Sequence, residues 1–436
     1  MIKKALKQGQ LYVNYLGPLS ALLGNLIATP ILISNLGLKE WSLFGLINIL
    51  LPLVYLLLFG SGEFVKRLMI NIFLGNEKTR ESIHMFYKYE KKNFIRLIPA
   101  IIILSLALIF FNSNSYESFK SIKFSFILIS IAVLIKIFEF YYAEILNGLK
   151  EHYNLHFYAF IITACKWATI IYLSFLSEIN INVLLLTVII FSFFLLTVQR
   201  IFILKVFSKK KNQLIDKNKQ NISEFNETHF GIVILLILLL QQFDKVLAFG
   251  ILDSLSLSYF AIAFMMSTAI PHIVSPIVLY LTPEIYETVE LEAKDRKKKI
   301  SRLIIAQFII LLICMIILNL YLGQVLAVWL GKNIDSNEIS SFLIPLSINT
   351  LSIYLINSLK IFFIAENKII FMKKPLMIVF CILILLTVLI YSEFLTIQVY
   401  LYSYSFLMFY LMFHFYFIFF IKRSVSTNIK PSGRLR

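Results

Sequence analysis

The apolar positions of this chain fall in long unbroken runs rather than in the short alternations of strands or the one-sided stripes of soluble helices. A helix needs about 20 mostly apolar residues to cross the hydrocarbon of a bilayer. Twelve stretches meet that measure at approximately 11–35, 41–62, 97–112, 124–147, 155–177, 183–205, 230–252, 259–281, 301–322, 342–364, 375–391 and 397–421. The third is short, and the first carries Pro18, Pro30, Asn14 and Asn25. Barrel strands do not fit, because their segments would be about ten residues long and alternating. The predicted class is therefore an all-α polytopic membrane protein.

Polar breaks organise the spans. The longest, 206–229, separates six spans from six and reads as a linker on the cytoplasmic side. The expected units are an N-terminal lobe at 1–205, a C-terminal lobe at 230–421 and a basic tail at 422–436. The halves match faintly at an offset of 216. Leu22-Leu-Gly-Asn-Leu-Ile-Ala-Thr-Pro lies over Leu238-Leu-Leu-Gln-Gln-Phe-Asp-Lys-Val, with a short outer turn after each. Both helices would run outward, making the halves parallel repeats that enclose a central cavity. The start of the chain, Met1-Ile-Lys-Lys, has no small-residue cleavage site after a short apolar core, so the first span is expected to stay. The largest outer loop, 323–341, is expected to form a small interfacial helix anchored in the headgroups by Trp329.

Composition agrees with this picture. Hydrophobic residues make up 59% and charged residues 15%, too little polar surface for soluble domains of this length. The net charge of +17 invites a nucleic-acid reading, but the cations cluster between spans rather than along one face. With both termini cytoplasmic, 33 of the 41 Lys and Arg fall on that side, 4 on the other and 4 within spans. That asymmetry is a topology signal. It also favours contact with anionic lipid. The three cysteines, Cys165, Cys314 and Cys381, lie inside apolar runs and are expected to be small core residues.

Charges within the spans carry the candidate chemistry. A charge at mid-bilayer costs about 2.5–3.5 kcal/mol on the insertion scale and normally faces protein or water. Lys136 lies in the middle of the fourth span, with Glu139 one turn away on the same face and Glu144 farther along. Lys166 lies at the same depth in the fifth. Gln241, Gln242, Asp244 and Lys245 follow one another in the seventh. Each of these charges is either a structural pair that locks packing or part of a polar path. Glu63 and Lys66 either pair in the interface or face the cavity. His272, between Pro271 and Pro276, is either a hydrogen-bonded kink residue or a proton-coupling group. Lys360 is expected to snorkel, and His414 to pack among aromatics. No Gly-rich nucleotide loop, metal-spaced Cys or His cluster, or nucleophile–base set is present, so neither an enzyme nor a cofactor or metal is expected.

The segment QQFDKVLAFGILDSLSLSYFAIAFMM, with Asp244, Lys245, Phe260, Ala261, Ala263 and the later Pro283, resembles the start of the second lobe in polysaccharide flippases. The first hairpin, NLIATPILISNLGLKEWSLFGL, and VWLG at 328–331 are similar too; Ser42 and Ser258 stand where that family often has Gly. The resemblance implies a Wzx-type O-antigen flippase of the multidrug/oligosaccharidyl-lipid/polysaccharide (MOP) exporter superfamily, in the bacterial inner membrane, with a MATE-like fold of two six-helix lobes. Its passenger would be undecaprenyl-pyrophosphate-linked oligosaccharide. On that reading Lys136, Lys166 and Lys245 give the anionic head a cationic route, and Asn25, Gln241 and Gln242 contact hydroxyls. Glu139 and Asp244 keep the lysines charged or couple a proton or sodium ion. A cation-coupled drug antiporter is the alternative within the superfamily, and a membrane glycan polymerase the alternative outside it.

Overall fold

The computed structural model describes residues 16–38, 41, 65–66, 69, 83–95, 123–149, 151–176, 180–211, 227–253, 255–269, 271, 293–331, 335–365 and 368–420. These residues form helices and no strand. The helices are α1 (Leu16–Leu38), α2 (83–95), α3 (Lys123–Gly148), α4 (His152–Leu176), α5 (Ile181–Lys211) and α6 (Glu227–Ile251). They continue with α7 (Leu255–Ala269), α8 (Ala293–Leu320), α9 (Leu322–Trp329), α10 (Ser336–Ala365), α11 (Lys373–Tyr391) and α12 (Ile397–Phe420). Seven are long and apolar enough to cross a membrane, and an eighth span counts if α8 and α9, bent by 69°, are one. The 26 residues of α3 have the length too, but that helix carries Lys136, Glu139 and Glu144. The chain is a multi-pass membrane protein. The second expected span apart from Trp41, the third, about half of the eighth, and part of the linker lie outside the described residues.

The membrane helices are greasy on the outside. In α11 the buried positions Leu376, Val379, Leu383 and Ile390 form one stripe, while Ile378, Leu385 and Val388 on the other faces are exposed. Such an exposed face suits lipid tails, not water. Pro375 sits in the first turn of α11, where a missing N–H breaks no helical bond. Cys165 and Cys381 are exposed, which corrects the expectation of core cysteines: in so apolar a helix a small apolar residue fits the lipid face equally well.

Packing falls into two groups. In the first half α3 and α4 pack against α5; in the second, α10 packs on α8 and α12, and α11 on α6 and α12. At the end carrying the basic segments, the first half has its own core of Phe86, Tyr141, Tyr142, Ile145, Ile203 and Phe207. At the opposite end, called outer after the orientation expected from the charge bias, Ala28, Leu32, Trp167 and Ile170 join the core of the second half. The halves thus share a core at the outer end and have separate ones at the inner end, among the described residues. Two glycines permit close approaches within the first half. A Cβ on Gly24 would stand 2.0 Å from the Trp167 ring, so α1 and α4 touch there. One on Gly148 would meet the Lys66 carbonyl oxygen at 2.5 Å.

The helix α2, inside the basic stretch 66–96, was not predicted. It docks on the inner end of α3, where the Tyr141 hydroxyl donates to the Phe86 carbonyl at 3.1 Å. The expected helix in the loop after residue 322 is present as α9, and Gly331, at φ +89°, supplies the left-handed residue after its end.

Candidate functional site

Trp329, at the end of α9, is not held by headgroups as expected. Its indole N–H donates to the Leu26 carbonyl of α1 at 2.6 Å. The reason lies four residues on. Pro30 has no N–H, so the Leu26 carbonyl has no helical donor and remains free to accept another. α1 nevertheless runs unbroken through Pro18 and Pro30. Two further contacts join the halves nearby. The Ser258 hydroxyl donates to the Leu38 carbonyl at 3.2 Å, and the Thr29 hydroxyl lies 3.5 Å from the Met265 sulfur. All three lie at the outer end or in the outer half of the helices, and together they clasp α1 to α7 and α9.

Below the clasp, a polar cluster lies mid-way along the first half. Lys136 Nζ lies 2.6 Å from Glu139 Oε2, one turn apart on α3, with about a fifth of each side chain exposed. Lys166, on α4, is half-buried and within electrostatic reach of both. Its ammonium stands 4.7 Å from the centre of the Trp167 ring, a cation–π distance. The Trp167 indole N–H is buried and has no acceptor among the described residues. Asn25 follows Gly24, against which Trp167 packs, and is half-buried. The structure therefore brings Lys136, Glu139 and Lys166 together, with Asn25 on the adjoining helix.

The second half carries a separate and drier cluster. Asp244 is fully buried and Lys245 nearly so, with Lys245 Nζ 2.9 Å from Asp244 Oδ1. Lys245 also donates to the Gln241 carbonyl and stands 4.9 Å from the Phe264 ring centre. The Asn349 side chain, on α10, donates to Asp244 Oδ2 at 2.8 Å. The stacked rings of Tyr400 and Tyr404, 6.1 Å apart, lie beside Asp244. Gln241 and Gln242 are half-buried, and Gln242 Oε1 has no partner among the described residues. Among those residues no hydrogen bond or ion pair joins this cluster to the one on α3 and α4.

Glu63 and His272 lie outside the described residues. Lys66, read from the sequence as either pairing with Glu63 or facing the cavity, is 2.8 Å from Glu144 of α3, with both side chains buried. Nearby, the Tyr142 hydroxyl donates to Glu90 of α2, and Arg200 Nη2 reaches the same carboxylate at 3.6 Å. Sequence reasoning missed both groups. The available signal was depth: Lys66, Glu144 and Arg200 all fall near inner span ends. His414 stacks with Tyr410 at 5.8 Å, as expected of an aromatic neighbour.

No family model matches the chain, and no curated protein sequence does. Solved structures do. A MATE multidrug transporter, DinF-BH, solved with a bound ligand, shares 13% identity over 97% of this chain and 96% of its own, with a TM-score of 0.67. An outward-facing multidrug resistance MATE family transporter of the MOP superfamily gives 14%, 97% of each chain and 0.60. An inward-facing one gives 12%, 96% of this chain, 99% of its own and 0.56. Likeness to both conformations marks the architecture rather than a state, and at such low identity it speaks for the fold alone. The fold of this chain is that of the MATE transporters.

Proposed function

We propose that this chain is a secondary transporter of the MOP superfamily, working by alternating access between lobes at 1–205 and 230–421. The full-length likeness to MATE transporters carries the proposal. The two-core packing supports it: halves that, among the described residues, share a core at one end and have separate ones at the other can rock. Of the substrate classes, cation-coupled export of a drug-like amphiphile has the support of these neighbours, which are named as multidrug transporters. Glu139 and Asp244 are the carboxylates at which a proton or sodium ion would act.

A second reading has its own observation. Among the described residues, the cluster on α3 and α4 holds two lysines against one carboxylate, beside an indole N–H without an acceptor. That excess of positive charge and donors suits an anionic, hydroxyl-rich head such as a polyprenyl-pyrophosphate-linked oligosaccharide. Lys136 and Lys166 would meet the pyrophosphate, with Asn25 on the sugar. Lys245, Gln241 and Gln242 would contribute once the lobes move. The setting would be a bacterial inner membrane, with both termini cytoplasmic.

Proteoliposomes decide between the two. Efflux of a cationic rhodamine dye driven by an imposed proton or sodium gradient is the outcome for the drug reading. Transfer of a fluorescent polyprenyl-pyrophosphate oligosaccharide between leaflets, lost in Lys136→Gln/Lys166→Gln, is the outcome for the flippase. Activity on neither, from correctly folded protein, would refute both.

A further inference from the structure

The inner end of the second half holds a cavity of about 180 Å³ between α8, α10 and α12, apart from both polar clusters. Ile304, Phe308, Leu355, Leu359 and Met412 line it, with Ile305 and Phe413 at its rim. The first group is buried or half-buried; the rim residues are exposed, so the cavity is a groove open toward the lipid. The Tyr416 hydroxyl, 2.9 Å from Ser301 Oγ, is the polar feature of its wall.

The helix that forms one wall begins with Lys294, Arg296, Lys297, Lys298, Lys299 and Arg302, against the single acid Asp295. Lys297, Lys298 and Ser301 stand seven residues before Ile304, Ile305 and Phe308. Seven residues are nearly two turns, so these positions share one helix face, about 10 Å nearer the basic end. Along that face the order is cations, a hydroxyl pair, then an apolar groove. A diacyl phospholipid has the same order: phosphate, glycerol ester, hydrocarbon. An apolar void alone would say nothing about its occupant; the placement of Lys297 and Lys298 on the groove's own helix face, within a helix start that is net basic, makes it complementary to an anionic one.

We propose that this groove holds one acyl chain of an anionic glycerophospholipid from the leaflet at the basic end, with its phosphate against the start of α8. The site is independent of the transported substrate. Native mass spectrometry of the purified full chain, with dioleoyl phosphatidylglycerol and dioleoyl phosphatidylcholine as probes, tests it. The expected result is preferential retention of phosphatidylglycerol. Lys297→Gln/Lys298→Gln should weaken that retention about thirtyfold, from about 1 kcal/mol per cation at a membrane surface. Ile305→Trp, which fills the groove from its exposed rim, should abolish it. Lys209→Gln/Lys210→Gln, in the basic end of α5, should leave it intact. Equal retention of both lipids, equal loss in the α5 variant, or undiminished retention in Ile305→Trp would each overturn the proposal. So would equal competition by a polyprenyl phosphate, which would give the groove to a passenger instead.

Discussion

Removing the clasp at the outer end should open that end. The perturbation is Trp329→Phe with Ser258→Ala, which keeps the ring and the fold of α9 but deletes two hydrogen bonds between the halves. Each such bond contributes about 0.5–1.5 kcal/mol net, so the pair is worth about 1–3 kcal/mol, or a shift of about 5- to 150-fold between closed and open states. The reporter is Ala28→Cys in a background lacking Cys165, Cys314 and Cys381. Ala28 is 1% exposed within the shared core, so labelling requires the halves to part. With a membrane-impermeant maleimide applied from the α9 side, the rate should rise at least about fivefold, the lower end of that range. The wild-type clasp with the same reporter sets the baseline, and a monodisperse size-exclusion peak shows that the fold is kept. An unchanged rate in folded protein would refute the idea that these bonds hold the outer end shut. A rise seen equally from the opposite side would refute the assignment of the clasp to one end.

Other outcomes follow from single contacts. Asp244→Ala should cost about 3–5 kcal/mol by stranding the buried Lys245 ammonium, whereas Asp244→Asn/Lys245→Met should recover most of the loss in reversible mixed-micelle unfolding. Equal losses would show that the pair is not the reason for the cost. Gly24→Ala should cost about 1–3 kcal/mol through overpacking against Trp167, with stability restored by Trp167→Leu in the same assay. Asp253 caps α7, and the Ser256 side chain and amide hold its carboxyl below the usual value. Its contribution is therefore present above the ordinary carboxylate range and is lost as pH falls through the lowered value. Asp253→Asn should remove that part of the acid sensitivity, and an unchanged stability–pH curve would count against the cap.

Much of the fold was legible because a membrane span is specified by length alone. The stretch expected at 124–147 is Lys123–Gly148, and that at 397–421 is Ile397–Phe420. The helix α2 was hidden by its charge, although Phe86 and Tyr89, one turn apart, and Asn93 all face inward. For the site, the i,i+3 pair Lys136–Glu139 was readable from spacing. Partners from distant helices were not: nothing local ties Lys66 to Glu144, or Asn349 to Asp244. The Trp329 contact was half legible. Pro30 announces a free carbonyl at Leu26, but only the bend after α8 decides which donor arrives.

Described residues that share one common kernel at one end and keep a private one at the other make a pair of tongs. Substitutions around Tyr141 and Ile203 should stiffen or soften a single jaw, leaving the pivot untouched, whereas changes near Ala28 and Ile170 act on the pivot and reach both jaws at once. Rate and stability should thus be separable along the length of the bundle.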